Sequence, residues 1–149
     1  MACCDTSFLC ALYVLQVNSV RANAWYQASE TSLVVTDLVL LEFRQSIRLQ
    51  SWLHAQDRTK GFAGHLGQRA INSLASHLAE GRLVQTGYDW TSVAGLTERL
   101  SAQHTARFGC RIFDILLVAV SLSLGEREFL TFDSRQRLLA EAEGLTVPL

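Results

Sequence analysis

Short apolar runs alternate with longer amphipathic ones along this chain. Residues 2–4 read as a short apolar strand, 32–36 (S-L-V-V-T) have strand propensity, and 128–132 read as a further strand, with 145–147 as a last edge strand. Helical stretches fall between them. Thr6 and Ser7 open an apolar helix reaching about residue 16, and a second covers 20–28 with Trp25 and Tyr26 partly buried. Asp37 is placed as the N-cap of a helix over 38–53. A polar turn, 55–61, separates that helix from one over 62–78, so the two read as an antiparallel helical hairpin. Residues 81–88 form a connection without a clear pattern, in which Val84 is a candidate for brief pairing. The stretch 90–107 is amphipathic with Val93, Leu96 and Leu100 inward, and Phe108-Gly109 breaks it. The last helix, 135–143, is stopped by Gly144. Strands alternating with crossover helices imply a parallel sheet covered on both faces. The expected fold is therefore α/β, three-layered, with a short central mainly parallel sheet flanked by helices, and one domain over 1–149.

The most apolar stretch, 112–124, is apolar on nearly every face, which marks a buried helix, and Gly125 follows its end. Asp114 nevertheless sits in its first turn, and the strand after it stops at Asp133. An isolated carboxylate among apolar residues is paired, protonated or bound to a metal. Structural roles stay open: Asp114 is favourable at a helix N-terminus, and Asp133 is a natural N-cap. Glu42 is a third such acid. At about 100° per residue, Arg44, Arg48 and Ser51 share the solvent side of its helix, and Glu42 lies opposite among Leu38, Leu49 and Leu53. A salt bridge to an arginine from elsewhere is its bland alternative. Asp5, ending the first strand, is the fourth. Ligand sites of parallel sheets lie beyond the carboxyl ends of the strands, where Asp5 and Asp133 both fall, and Thr131 points to the same side of its strand as Asp133.

Composition narrows the classes. The chain of 149 residues, 49% hydrophobic, is long enough to bury a real core. With a formal charge of −1, no strongly basic face announces a nucleic-acid partner by composition alone. The four cysteines (Cys3, Cys4, Cys10, Cys110) fit no zinc spacing and read as reduced packing residues. No basic segment precedes the early apolar run, so no signal peptide is expected, and no run reaches the roughly 18 residues that span a membrane. His54, His65, His77 and His104 form no metal spacing, and Trp25, Trp52 and Trp90 read as core or interface residues. A cytoplasmic, membrane-free protein is the expectation.

If Asp5, Glu42, Asp114 and Asp133 converge, they cannot share a small volume as free anions, because like charges raise one another's pKa. A divalent cation resolves the conflict, and all-oxygen ligation favours Mg2+ or Mn2+. Such an ion activates water for attack on a phosphodiester.

The pieces C-D-T-S-F-L, L-V-L-L-E-F, R-I-F-D-I-L-L-V-A and F-L-T-F-D-S-R-Q resemble the PIN domain, in particular the VapC-type ribonuclease toxins of bacterial toxin–antitoxin pairs, over essentially the whole chain. The resemblance implies RNA cleavage dependent on Mg2+ or Mn2+, with metal-site acids at Asp5, Glu42, Asp114 and Asp133, and small polar site-lining residues at Ser7 and Thr131; Ser134, next to Asp133, is expected to line the site as well. It also implies a small cognate antitoxin as partner. One departure stands out: many members carry a further acid after the last aspartate, where this chain has Ser134, Arg135 and Gln136. An RNA substrate needs cationic contacts. Setting the four acids aside, 14 less 4 leaves 10 acids against 13 basic residues, nearly all arginine. Arg58, Lys60, Arg135 and Arg137 are the expected RNA contacts, with solvated surface arginines as the alternative. Trp52, Leu53, Phe62 and Leu66 near the hairpin turn point to a homodimer. A metal-dependent endoribonuclease is the first reading; a non-catalytic PIN-like module binding RNA or protein is the second, and a DNA-directed nuclease with the same site stays open.

Overall fold

The computed structural model describes residues 1–149. Four three-residue strands, β1 (Ala2–Cys4), β2 (Leu33–Val35), β3 (Leu83–Gln85) and β4 (Glu128–Leu130), form one sheet in the order β3-β2-β1-β4. Every pairing is parallel. All residues of β1 and β2 are buried, which in a parallel sheet requires cover on both faces. Seven helices supply it: α1 (Thr6–Tyr13), α2 (Ser19–Ala28), α3 (Asp37–Gln56), α4 (Gly64–Ala79), α5 (Trp90–Phe108), α6 (Ile112–Ser123) and α7 (Ser134–Ala142). Helices α1 to α4 pack together as one group and α5 to α7 as another. The expected three-layer α/β architecture is what the chain adopts, and no helix is long and apolar enough to cross a membrane.

Several local expectations are corrected. Helix α1 ends at Tyr13 rather than near residue 16, because Val14 turns extended, and Leu15 and Val17 are then 92% and 97% exposed. Thr36, not Asp37, occupies the N-cap of α3; the Asp37 carboxylate instead accepts from the Gln85 side chain at 2.6 Å. The α3 seam is Val39, Leu40, Phe43 and Ile47, so Glu42 flanks it, and Leu49 is largely exposed. Ser51 faces α4 rather than solvent, since a Cβ on Gly67 would meet its hydroxyl at 2.6 Å. Gly61 closes the hairpin turn at φ 55°, its Cα set against the Gln50 carbonyl where any side chain would collide. The patternless connection 81–88 does contain a strand, with Val84 paired to Val34. The edge strand expected at 145–147 is only a bridge between Glu128 and Thr146. Helix α6 is buried from Ile115 to Ser121, but Ile112 and Phe113 in its first turn are exposed.

All four cysteines are free thiols. Burial pushes the Cys3 thiol up to about 11 and that of Cys10 up to about 12, so both behave as packing residues rather than nucleophiles.

Candidate functional site

The chain leaves β1 for β2 on one side, whereas β4 pairs on the other. The carboxyl ends of β1 and β4 therefore flank the point where connections diverge, the place open parallel sheets offer to ligands. Asp5 follows β1 directly and is 5% exposed. Its Oδ1 accepts from the backbone N–H of Phe8 at 2.9 Å, capping α1. Thr131 Oγ1 donates to its Oδ2 at 2.7 Å, and the Ser7 hydroxyl lies 2.8 Å from both oxygens. Ser7 also accepts from Phe132 N at 2.8 Å, and the Phe132 ring stacks on that of Phe8. No lysine or arginine pairs with Asp5. Burial pushes its carboxyl up to about 6, against the lowering by the Phe8 amide and the two hydroxyls.

The other three acids arrive from separate helices. Glu42, half-buried on α3, accepts from the Thr6 hydroxyl. Asp114 Oδ2 accepts from Arg111 N at 2.9 Å in the first turn of α6. Asp133 is the N-cap of α7, its Oδ1 accepting from Arg135 N at 2.8 Å and Gln136 N at 2.9 Å. All four acids, with Thr6, Ser7, Leu117 and Gln136, line one cavity of about 170 Å³. None of them is in an ion pair. No three of them close tightly enough on a common point to grip an ion. The donor set nevertheless suits a hard cation: it is all oxygen, free of a competing lysine or arginine, and Mg2+ is commonly held by one or two carboxylates with retained waters.

A family model described as the PIN domain matches residues 2–142. The chain belongs to the PIN domain family. Its fold is similar to that of VapC20 from Mycobacterium tuberculosis, described as a sarcin-ricin loop cleaving toxin, with a TM-score of 0.67 at 18% identity over 98% of this chain and 97% of that one. It is also similar to FitAcB from Neisseria gonorrhoeae, with a TM-score of 0.63 at 17% identity over 99% of this chain and 96% of that one. No curated protein matches by sequence.

Two residues of this PIN domain's candidate site escaped the sequence reading. Gln136, 1% exposed, donates from Nε2 to the Asp114 carbonyl at 3.0 Å, and its Oε1 lies 3.1 Å from Thr131 Oγ1. It thereby ties α7, α6 and the end of β4 together behind three of the acids. Its position three residues past an N-cap aspartate was the only local signal. Arg111, three residues before Asp114, was the other. With Asp114, Asp133, Ser134 and Arg135 it lines a second cavity of about 440 Å³. Of the other expected RNA contacts, Arg58 and Lys60 sit in the hairpin turn, roughly 20 Å along α3 from Glu42 at about 1.5 Å per residue, and Lys60 pairs with Asp57 at 3.4 Å. Neither they nor Arg137 line either of these two cavities.

Asp5 makes metal-free stability depend on pH with a defined sign. Its folded pKa of about 6 lies above its ordinary 3.8, so between those values the folded chain keeps a proton that the unfolded chain releases. This contribution falls as pH rises from about 4 to about 6, by up to about 3 kcal/mol. Urea unfolding in EDTA across that range should show the decline in wild type relative to Asp5→Asn. Parallel curves for the two proteins would refute it.

Proposed function

We propose that this protein is a metal-dependent endoribonuclease that hydrolyses RNA phosphodiester bonds, acting in the cytoplasm as the toxin of a bacterial toxin–antitoxin pair. The observation that carries the reading is the set of four carboxylates on one cavity with no protein cation among them. Membership of the PIN family supports it, and the description of VapC20 as a toxin that cleaves the sarcin-ricin loop favours RNA over DNA. Asp5, Glu42, Asp114 and Asp133 would hold Mg2+ or Mn2+. A bound divalent ion lowers the pKa of a water and offsets charge developing on the phosphodiester. The chain's own part is orientation. Ser7 and Thr131 fix both oxygens of Asp5, Thr6 steers Glu42, and the backbone at two helix starts sets Asp114 and Asp133. Leu117 gives the cavity an apolar wall.

A second reading, a PIN-like module that binds RNA or protein without cleaving, draws on the loose convergence of the acids and on the Ser134-Arg135-Gln136 stretch that lacks a further acid. RNA cleavage by purified protein separates the two. Under the nuclease reading it requires Mn2+ or Mg2+ and stops in EDTA. Asp114→Asn should abolish it while leaving the metal-free melting midpoint equal or higher, because the amide oxygen can still accept from Arg111 N. Mn2+ should raise the wild-type midpoint, as any ligand of the folded state does, and the variant's much less. Equal metal-induced shifts with cleavage retained would remove Asp114 from the metal site.

Two partners belong to this reading. A homodimer is proposed at the hairpin tip, where Trp52 and Leu66 are 57% and 42% exposed and Leu53 and Phe62 half-buried; a patch of that kind marks an interface. Light scattering at tens of micromolar should give twice the mass of one chain, and a monomer there would dismiss the dimer. The cognate antitoxin is proposed to inhibit by placing an arginine or other cation among the four acids. Asp133→Asn should then weaken its binding, and an inhibitor whose protection leaves the acidic cavity untouched would overturn this.

A further inference from the structure

The acidic cavity shares Asp114 and Asp133 with the larger basin, whose remaining lining residues are Arg111, Ser134 and Arg135, none of them apolar. Two guanidinium groups and two carboxylates face the same open space, yet no ion pair forms among them. Asp114 Oδ2 is held by Arg111's own N–H and Asp133 Oδ1 by Arg135's own N–H. Each arginine thus anchors its neighbouring acid through the main chain and leaves its side chain for something else. The Arg135 fork reaches only the Gly109 carbonyl at 3.4 Å, beyond the usual range for a strong contact.

We propose that Arg111 and Arg135 form a phosphate subsite that takes a backbone phosphodiester of the RNA strand beside the one lying over the acids. The placement relative to cleavage rests on the nuclease reading; the anion site itself does not. A guanidinium pair matches phosphate oxygens in a planar, bidentate way. A phosphodiester strand can present one phosphate to the arginines and the next to the acid cavity, where a divalent ion is needed. An acidic peptide would set its next carboxylate against Asp114 or Asp133.

The test is binding of an end-labelled short oligoribonucleotide to the full chain in EDTA, followed by fluorescence anisotropy over a range of salt. Arg111→Gln and Arg135→Gln should each weaken binding roughly tenfold and lower the salt slope by about 0.7. Arg135→Lys should keep the slope and lose part of the affinity. Arg127→Gln, just before β4 at the opposite end of the sheet, should change neither. Wild-type affinity and slope in both glutamine variants, with melting midpoints matched, would overturn the subsite. So would an equal loss in Arg127→Gln, or a poly-glutamate peptide that binds as tightly with the same arginine dependence. Cleavage in Mn2+ is scored separately. Arginine-dependent binding without cleavage removes the nuclease reading and leaves the subsite, and cleavage without arginine dependence does the reverse.

Discussion

Asp5 is buried at the end of β1, one of the two interior strands of a parallel sheet, and the groups that make it tolerable there come from different elements. An ionised carboxylate in such a place costs several kcal/mol unless hydrogen bonds replace its lost water. Its partners are the Phe8 amide and Ser7 hydroxyl at the start of α1, and the Thr131 hydroxyl at the end of β4. Meeting that demand draws β4 and α1 to a common point. Ser7 bonds onward to Phe132 N and Thr131 accepts from Asp133 N, so the chain that leaves β4 is set by the same hydroxyls. Asp133 inherits its position from the solvation of Asp5.

The strands are only three residues long, and this explains both what could be read in the sequence and what could not. β1, β2 and β4 are legible because their residues are almost all apolar and buried. β3 offers one buried residue, Leu83, against exposed Val84 and Gln85, so no period-two or continuous apolar pattern exists to find. The opposite error appears after Tyr13. Val14, Leu15 and Val17 extend the apolar pattern of α1, but the backbone turns there and two of them point to solvent. Apolar composition reports a preference for burial, and tertiary packing decides where the supply of buried positions ends.

The acids were legible for a different reason from their support. A carboxylate inside an apolar run is conspicuous in one dimension, as Asp114 and Asp133 are. Glu42 was found as well, although its seam was misplaced: it flanks Val39, Leu40, Phe43 and Ile47 rather than centring on Leu38, Leu49 and Leu53. Gln136 was invisible. A polar residue on a short polar helix looks like surface, and only the meeting of α7 with α6 and β4 buries it to 1%. Its two partners, the Asp114 carbonyl and the Thr131 hydroxyl, belong to other elements. Arg111 hid in the same way, as an ordinary charge just outside a hydrophobic helix.

A capping role and the proposed ligand role are compatible for Asp114 and Asp133, because each carboxylate has two oxygens. Each spends one oxygen on backbone N–H groups at a helix start, and that bond fixes the carboxylate's direction. The second oxygen has no protein donor, and both residues line cavities shared with other acids and with arginines. A carboxylate held by its own cap has its direction set without a bound ion, so in the proposed ligand role the ordering cost of binding would be lower. Capping aspartates are therefore well suited to a site that must accept and release a cation, because the rotamer does not depend on occupancy. The same economy extends to the arginines, whose N–H groups do the capping while their guanidinium forks form no ion pair with either acid. Two residue pairs, Arg111–Asp114 and Arg135–Asp133, thus put positive and negative charge side by side without letting either neutralise the other.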